Sequence, residues 1–349
     1  MKKSENERTD PNQAVTAEIE VANSETISSE VAFGGTYNYS NAASETDDWV
    51  KLISRLAKPQ GKVDVVLDSD TYNEIDDQFA LAYLIKKERR LNLKAIHAAP
   101  FVNQRSRSPQ EGVEKSYLEI HKVLELMGRD DLKAITYQGS GAFLPSETEP
   151  VRSAAAENLV RLAQGYSSEN QLYVVAIGAI TNVASALLLD PGIKDKIVVV
   201  WLGGNAHDWY QNAEFNLSQD VAAARIIFGS RVPLVQLPCM GVVSAFTTSG
   251  PELEYWLRGK NALCDYLVDV TTTQALEDGG LPTWTRTIWD VTAVAWLLDE
   301  HFMQERFTPS PIPEYDHYYA FSRTRHPIRY VYHINRDALF ADLFRTLTA

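Results

Sequence analysis

Val63-Asp64-Val65-Val66-Leu67 runs into Asp68-Ser69-Asp70-Thr71-Tyr72-Asn73-Glu74-Ile75-Asp76-Asp77, and Phe79-Ala80-Leu81-Ala82-Tyr83-Leu84-Ile85 follows almost at once. The first apolar run reads as a buried strand, the acidic stretch as the loop at its carboxyl end, and the second run as the start of a helix. The order recurs downstream. Lys94–Ala99 is strand-like and precedes a helical stretch from Glu111 to Met127, and Leu172–Ile177 feeds Thr181–Leu187. Ile197–Leu202 ends at Gly203-Gly204, Asp220–Phe228 is helical, and Leu234–Leu237 is a short strand. Strands written as continuous apolar runs between helices predict an α/β fold, a mainly parallel central sheet with helices on both faces. Ligands of such sheets bind beyond the carboxyl ends of the strands, where all the polar clusters fall.

Around this core, residues 1–45 are rich in Ser, Thr, Asn, Glu and Ala and poor in large apolar side chains. They read as a disordered tail, because they offer too little apolar surface to offset the entropy of ordering. Residues 46–349 read as one domain, without internal repeats or an obvious linker after residue 60. The stretch from Gly250 to about Asp299 is mainly helical in pattern, and Pro309–Pro313 precedes a Tyr-rich tail. Lys+Arg number 33 against 46 Asp+Glu, a net charge of −13, which argues against a nucleic-acid partner. Cys239 and Cys264 are the only cysteines, so neither a disulfide framework nor a zinc-ligand spacing is present. No apolar run approaches the ~20 residues that cross a bilayer. The start lacks a signal-peptide core, so a cytoplasmic protein is expected.

Asp68, Asp70, Glu74, Asp76 and Asp77 place five carboxylates within ten residues at a strand end. A hard divalent cation is the usual offset to such repulsion, and Ca2+ takes six to eight oxygens. Acids at a helix start, such as Asp76 and Asp77, also occur without a metal because the helix dipole tolerates them. That does not account for Asp68 and Asp70. Asp68-Ser69-Asp70-Thr71-Tyr72 also resembles the opening motif of the haloacid dehalogenase-type phosphatases, whose first Asp is a nucleophile. The later acidic pair of that family has no convincing match at Asp190 or Asp208.

Four ordered segments, spanning residues 63–300, resemble the inosine-uridine-preferring nucleoside hydrolases. They are Leu67-Asp68-Ser69-Asp70 with Asp76-Asp77-Gln78-Phe79-Ala80, then Val175–Ala184, then Val200–Gly204 with Ala213-Glu214-Phe215-Asn216, and finally Trp289-Asp290-Val291-Thr292-Ala293. The resemblance implies a Rossmann-like core and a Ca2+ ion held by Asp70, Asp77, the Ile177 carbonyl and Asp290. It implies hydrolysis of the N-glycosidic bond of a small-molecule nucleoside by metal-bound water, with Asp70 as general base and an oxocarbenium-like transition state. Asp76, Asn103, Glu214 and Asn216 would contact the ribose, Leu202 would line its site, and Asp68 would support the cluster from behind. By likeness to the family, a homo-dimer or tetramer is expected.

The chain departs from the family at three places. Thr71–Ile75 makes the aspartate loop two residues longer than usual, so Tyr72, Asn73 or Glu74 could reach the pocket, although Tyr72 equally reads as a packing residue. Trp289 stands where better-known members carry a His that protonates the leaving base; its face can stack on a base. The stretch Asn205–Tyr210 is shortened, and Asp208 takes the nearest offset to a ribose-contacting Asn. His207, Tyr210 and Arg286 are candidates for leaving-group activation, and Trp201, Trp209, Trp284, Trp289 and Trp296 are aromatics of which at least half read as core. The substitution at Trp289 also leaves open a non-catalytic, ribose- or nucleoside-binding protein.

Overall fold

Apolar runs with alternate side chains pointing to opposite faces require cover on both sides, and a computed structural model of the chain shows how that cover is arranged. The structure describes residues 48–281 and 283–349. The expectation for the tail, residues 1–45, lies outside the described residues.

Helix α1 (residues 48–55) is followed by β1 (Val63–Ser69), α2 (Asp76–Lys86), β2 (Leu91–Ala98), α3 (Pro109–Leu126) and β3 (Thr136–Gln138). Next come α4 (Ala154–Ala163), β4 (Leu172–Ala176), α5 (Thr181–Leu189) and β5 (Ile197–Leu202). The chain continues through α6 (Phe215–Gln219), α7 (Val221–Gly229), β6 (Leu234–Leu237), β7 (Thr247–Ser249), α8 (Gly250–Trp256) and α9 (Ala262–Glu277). It closes with β8 (Thr285–Thr287), α10 (Val291–Trp296), β9 (Met303–Pro309), β10 (Ile312–Pro313), β11 (Tyr319–Ala320), β12 (Pro327–Ile334) and α11 (Arg336–Thr348).

Eight strands form one sheet in the order β3-β2-β1-β4-β5-β6-β12-β9. All neighbours are parallel except β9 against β12. The chain winds outward from β1 to β3, then crosses back to β4 and winds the other way. Strand order therefore reverses between β1 and β4, and the crevice opens there. Within β4, Tyr173 and Val175 pack toward α2, α3, α10 and α11, whereas Leu172, Val174 and Ala176 pack toward α4, α5 and α7. β5 divides likewise, Val198, Val200 and Leu202 against Ile197, Val199 and Trp201. Each such side chain, fully buried, contributes about 1.5–3 kcal/mol, which is why both faces of these strands are apolar.

The expected architecture is present, with one extension. The Tyr-rich carboxy-terminal stretch is not a tail: β9 and β12 widen the sheet and α11 covers it. β9 is an edge strand reading Met-Gln-Glu-Arg-Phe-Thr-Pro and is largely exposed, so it lacks the apolar signature of the central strands.

Candidate metal and ligand site

The loop after β1 lies at the reversal of strand order. Asp70 ends that strand's path, and the Asn73 N–H donates to its carbonyl at 2.7 Å, turning the chain toward α2. Asp76 and Asp77 occupy the first turn of α2, and Asp290 immediately precedes α10, which packs beside it. Carboxylate oxygens of Asp76, Asp77 and Asp290 lie within 4.8 Å of one another, all buried. The Asp290 N–H donates to Asp76 Oδ2 at 3.3 Å, and Ser69 Oγ donates to Asp77 Oδ1 at 2.6 Å. Asp70 is fully buried, and neither of its carboxylate oxygens meets a donor.

β4 ends beside this cluster. The Ile177 N–H donates to the Asp68 carbonyl at 2.8 Å, which places residues 177 and 178 next to the aspartate loop. A Cβ on Gly178 would stand 2.9 Å from Asp70 Cγ, so only glycine leaves that carboxylate its room. These features fit a hard cation. The donors are all oxygens, they converge from three segments, and Asp70 has two buried oxygens in need of a positive partner.

Without a cation the protons must supply that partner. Burial, followed by the charges of Asp77 and Asp76, holds the Asp70 carboxyl well above the usual range. Burial and the Asp76 charge do the same for Asp290, and burial and the Glu74 charge for Asp76. Burial pushes Asp77 up to about 7, against the Ser69 hydrogen bond. A bound cation would oppose all four shifts, because it favours the charged forms.

Asp68 stands behind the cluster, not in it. It is fully buried and outside the cavity lining, with Oδ2 accepting from Asn182 Nδ2 at 2.9 Å. His97 on β2 lies 3.8 Å from it and bonds Asn158 of α4 at 3.0 Å.

Above the carboxylates opens a cavity of about 280 Å³. Asp76, Asp77, Asp290, Ile177, Glu214 and Asn216 form its polar floor, with Leu202 beside them. Glu214 caps α6: its carboxylate accepts from the N–H groups of Gly204, Asn216 and Leu217 at 2.8–2.9 Å. It is buried and held in place by these donors, and burial raises its pKa against their pull. Asn216 Nδ2 donates to the carbonyls of Ile177 at 3.2 Å and Leu202 at 3.0 Å, tying the ends of β4 and β5 together. Trp289, Trp209, Tyr210, Phe215 and Met240 supply an aromatic and apolar wall. Such a wall offers flat faces to an aromatic ring while the floor offers acceptors to hydroxyls.

A family model described as inosine-uridine preferring nucleoside hydrolase matches residues 65–339. The chain belongs to that family. Among curated nucleoside hydrolases, the pyrimidine-specific ribonucleoside hydrolase RihB of Escherichia coli K12 is 36% identical over 74 residues, covering 20% of this chain and 24% of the relative. The alignments thus span about a quarter to a third of the length of the curated relatives matched. Among solved nucleoside hydrolases, the plant enzyme PpNRh1 superposes with a TM-score of 0.65 at 19% identity, over 83% of this chain and all of that one. The purine-preferring ribonucleoside hydrolase of Gardnerella vaginalis gives a TM-score of 0.60 at 21% identity, over 82% and 98% of the two chains. At such identities these two show the shared fold.

Several expected positions lie elsewhere in this member of the family. His207 is outside the cavity lining: its Nε2 bonds Gln236 Oε1 at 2.9 Å and its ring packs against Tyr330 with centroids 4.2 Å apart. Burial lowers its pKa to about 4, so this half-buried histidine is neutral at pH 7. Arg286 is engaged by Asp278 and by the Gln274 carbonyl, and Asp208 is outside the lining. Asn103 is also outside it and bonds Asn73, which is inside. Of the five tryptophans, Trp201 and Trp296 are core, Trp284 packs against the core, and Trp209 and Trp289 line the cavity. Cys239 and Met240 line it too, without any signal in the sequence, and Asn205 does so from the shortened stretch Asn205–Tyr210. They follow β5 and β6, and only the pairing of those strands brings them to one mouth.

Proposed function

We propose that residues 46–349 form a catalytic domain that hydrolyses the N-glycosidic bond of ribonucleosides to free base and ribose, with Ca2+ as cofactor. The observation that carries this reading is the convergence of the Asp76, Asp77 and Asp290 carboxylates on the floor of a cavity walled by aromatics, with the donorless, fully buried oxygens of Asp70 outside the lining but close enough to feel the charges of Asp76 and Asp77. Asp70, Asp77, Asp290 and the Ile177 carbonyl would hold the ion. When bound, Ca2+ lowers the pKa of a coordinated water and fixes a vicinal diol.

Asp70 serves as general base, accepting the proton of the attacking water. Asp76, Asn216 and Glu214 bind the ribose hydroxyls; Glu214 is held rigid by its three backbone donors, so it meets the sugar without reorganising. The anionic floor stabilises the positive charge that develops on the ribosyl ring as the bond to the base breaks. Trp289 and Trp209 present faces to the base and sequester it from water. The phosphatase alternative fails on family, because the model that matches residues 65–339 is that of the nucleoside hydrolases.

The test is a panel of purine, pyrimidine and nicotinamide ribosides incubated with the calcium-loaded protein. Free base and ribose are expected from at least one, and none from Asp70→Ala. No turnover on any member overturns the reading; tight ligand retention without product would instead identify a nucleoside-binding protein. The same reading makes this a cytoplasmic, self-associating protein. The family likeness supports the self-association; among the described residues no helix is long and apolar enough to cross a membrane. Light scattering giving a dimer or tetramer mass is the expected result.

A further inference from the structure

Asn103 is the one ribose-contacting position implied by the resemblance that reaches the cavity only through another side chain. Its backbone pairs with Ser106 in both directions, at 3.2 and 3.3 Å, and its Oδ1 accepts from the Arg105 N–H at 2.8 Å. Its Nδ2 donates to Asn73 Oδ1 at 2.7 Å. Asn103 therefore has its backbone groups and both side-chain ends engaged within the protein, and it lies outside the cavity lining.

Asn73 has the opposite disposition. It lines the cavity, is only 8% exposed, and belongs to the stretch Thr71–Ile75 that makes this aspartate loop two residues longer than usual. Its backbone N–H closes the turn onto Asp70, and its Oδ1 is taken by Asn103. Its Nδ2 has no hydrogen-bond partner among the described residues and is not sealed within the protein, so the donor is open to the cavity. An amide whose oxygen is clamped by a second amide cannot rotate to exchange its donor for its acceptor. The clamp therefore sets which hydrogen-bonding group the ligand meets.

We infer that Asn73 is a substrate-binding residue that donates through Nδ2 to a ribose oxygen, and that Asn103 is its positioning residue. The inference rests on the ribonucleoside reading for the identity of the ligand. The longer loop interposes one amide between Asn103 and the cavity, so the contact passes from Asn103 to Asn73.

The test is a double-mutant cycle with Asn73→Ala and Asn103→Ser. Alanine at 73 keeps the backbone turn onto Asp70. Serine at 103 keeps an acceptor for the Arg105 N–H, as in an ST-turn, but is too short to reach Asn73. Asn73→Ala is expected to lower kcat/KM roughly 10- to 100-fold and Asn103→Ser roughly tenfold, with melting temperatures near that of the wild type. The double variant is expected to be no worse than Asn73→Ala alone. Full additivity would return the direct contact to Asn103 and overturn the inference, as would an Asn73→Ala variant with unchanged kcat/KM. If the wild type turns over no nucleoside, the hydrolase reading falls by itself, and the same cycle is read as affinity for D-ribose by calorimetry. Absence of ribose binding to the wild type would then overturn the Asn73 assignment as well.

Discussion

Asp70 owes its importance to what surrounds it, namely Gly178 on one side and no hydrogen-bond donor on any. A buried carboxylate in that position is unfavourable unless it is protonated or paired with a cation. Asp70→Asn keeps the shape and removes the charge, so the metal-free protein should gain on the order of 1–3 kcal/mol at pH 8 while calcium-dependent turnover falls by ~10³ or more. Urea melts without metal and steady-state rates with it measure the two effects; a variant that retains turnover would exclude Asp70 as the base. Gly178→Ala tests the same site from its other wall. Its Cβ would arrive 2.9 Å from Asp70 Cγ, in a backbone conformation open to any residue, so the carboxylate must move. Calcium affinity is expected to drop about tenfold or more by calorimetry, with little loss of stability. Of these two residues, Asp70 is legible in the sequence as an acid beyond a buried strand. Gly178 is legible only as part of the segment that resembles the family, because the need for a missing Cβ arises from a neighbour 108 positions away.

Strands β1 and β2 and helices α4 and α5 meet at a second buried polar cluster formed by Asp68, His97, Asn158 and Asn182. Burial raises Asp68 to about 7 and lowers His97 to about 4. The two have opposite linkage. The folded state holds the Asp68 proton that the unfolded chain has released, so that contribution is lost as pH rises from 3.8 through about 7. The folded state rejects the His97 proton that the unfolded chain takes up, so that contribution is lost as pH falls from 6.5 through about 4. Between about 4 and 6.5 the slopes offset each other. His97→Gln removes one of them, and the stability of the wild type relative to the variant should grow by about 1.4 kcal/mol per pH unit across that window. Denaturant melts at several pH values measure it, and a difference that does not vary with pH would show that the histidine is not neutral in the folded protein. In the sequence, His97 is one more residue of a strand; its partner Asn158 lies on α4, and nothing local relates the two.

At the scale of the whole molecule, the proposed ion would take its ligands from residues 70–77, 177 and 290, segments that the reversal of strand order and the packing of α10 on α2 bring together. An ion that binds only this folded arrangement stabilises it by mass action, about 2.7 kcal/mol at a concentration a hundred times its Kd. Chelation should therefore lower the melting temperature, and calcium should restore it. Because the carboxyls that would bind the ion are pushed upward in its absence, calcium affinity should rise between pH 6 and 8 as they lose their protons. A melting temperature indifferent to both chelator and calcium would remove the ion from the site.

Local pattern determined the parallel sheet with its helices and the acidic loop at a strand end, because hydrophobic periodicity and strand-end chemistry are written in consecutive residues. Order along the chain further pointed to Asp290, Glu214 and Asn216, through segments that resemble a family. Tertiary structure alone decided which side chains share the cavity. It drew in Cys239 and Met240, took Asn73 and Glu74 but not Tyr72 from the aspartate loop, half-buried His207 against Gln236 and Tyr330, and set Asn103 behind Asn73. It also made strands of the carboxy-terminal stretch. The physical reason is the same in each case: a wall is formed where strands pair and helices pack, and those contacts join residues whose separation in sequence carries no trace of their meeting.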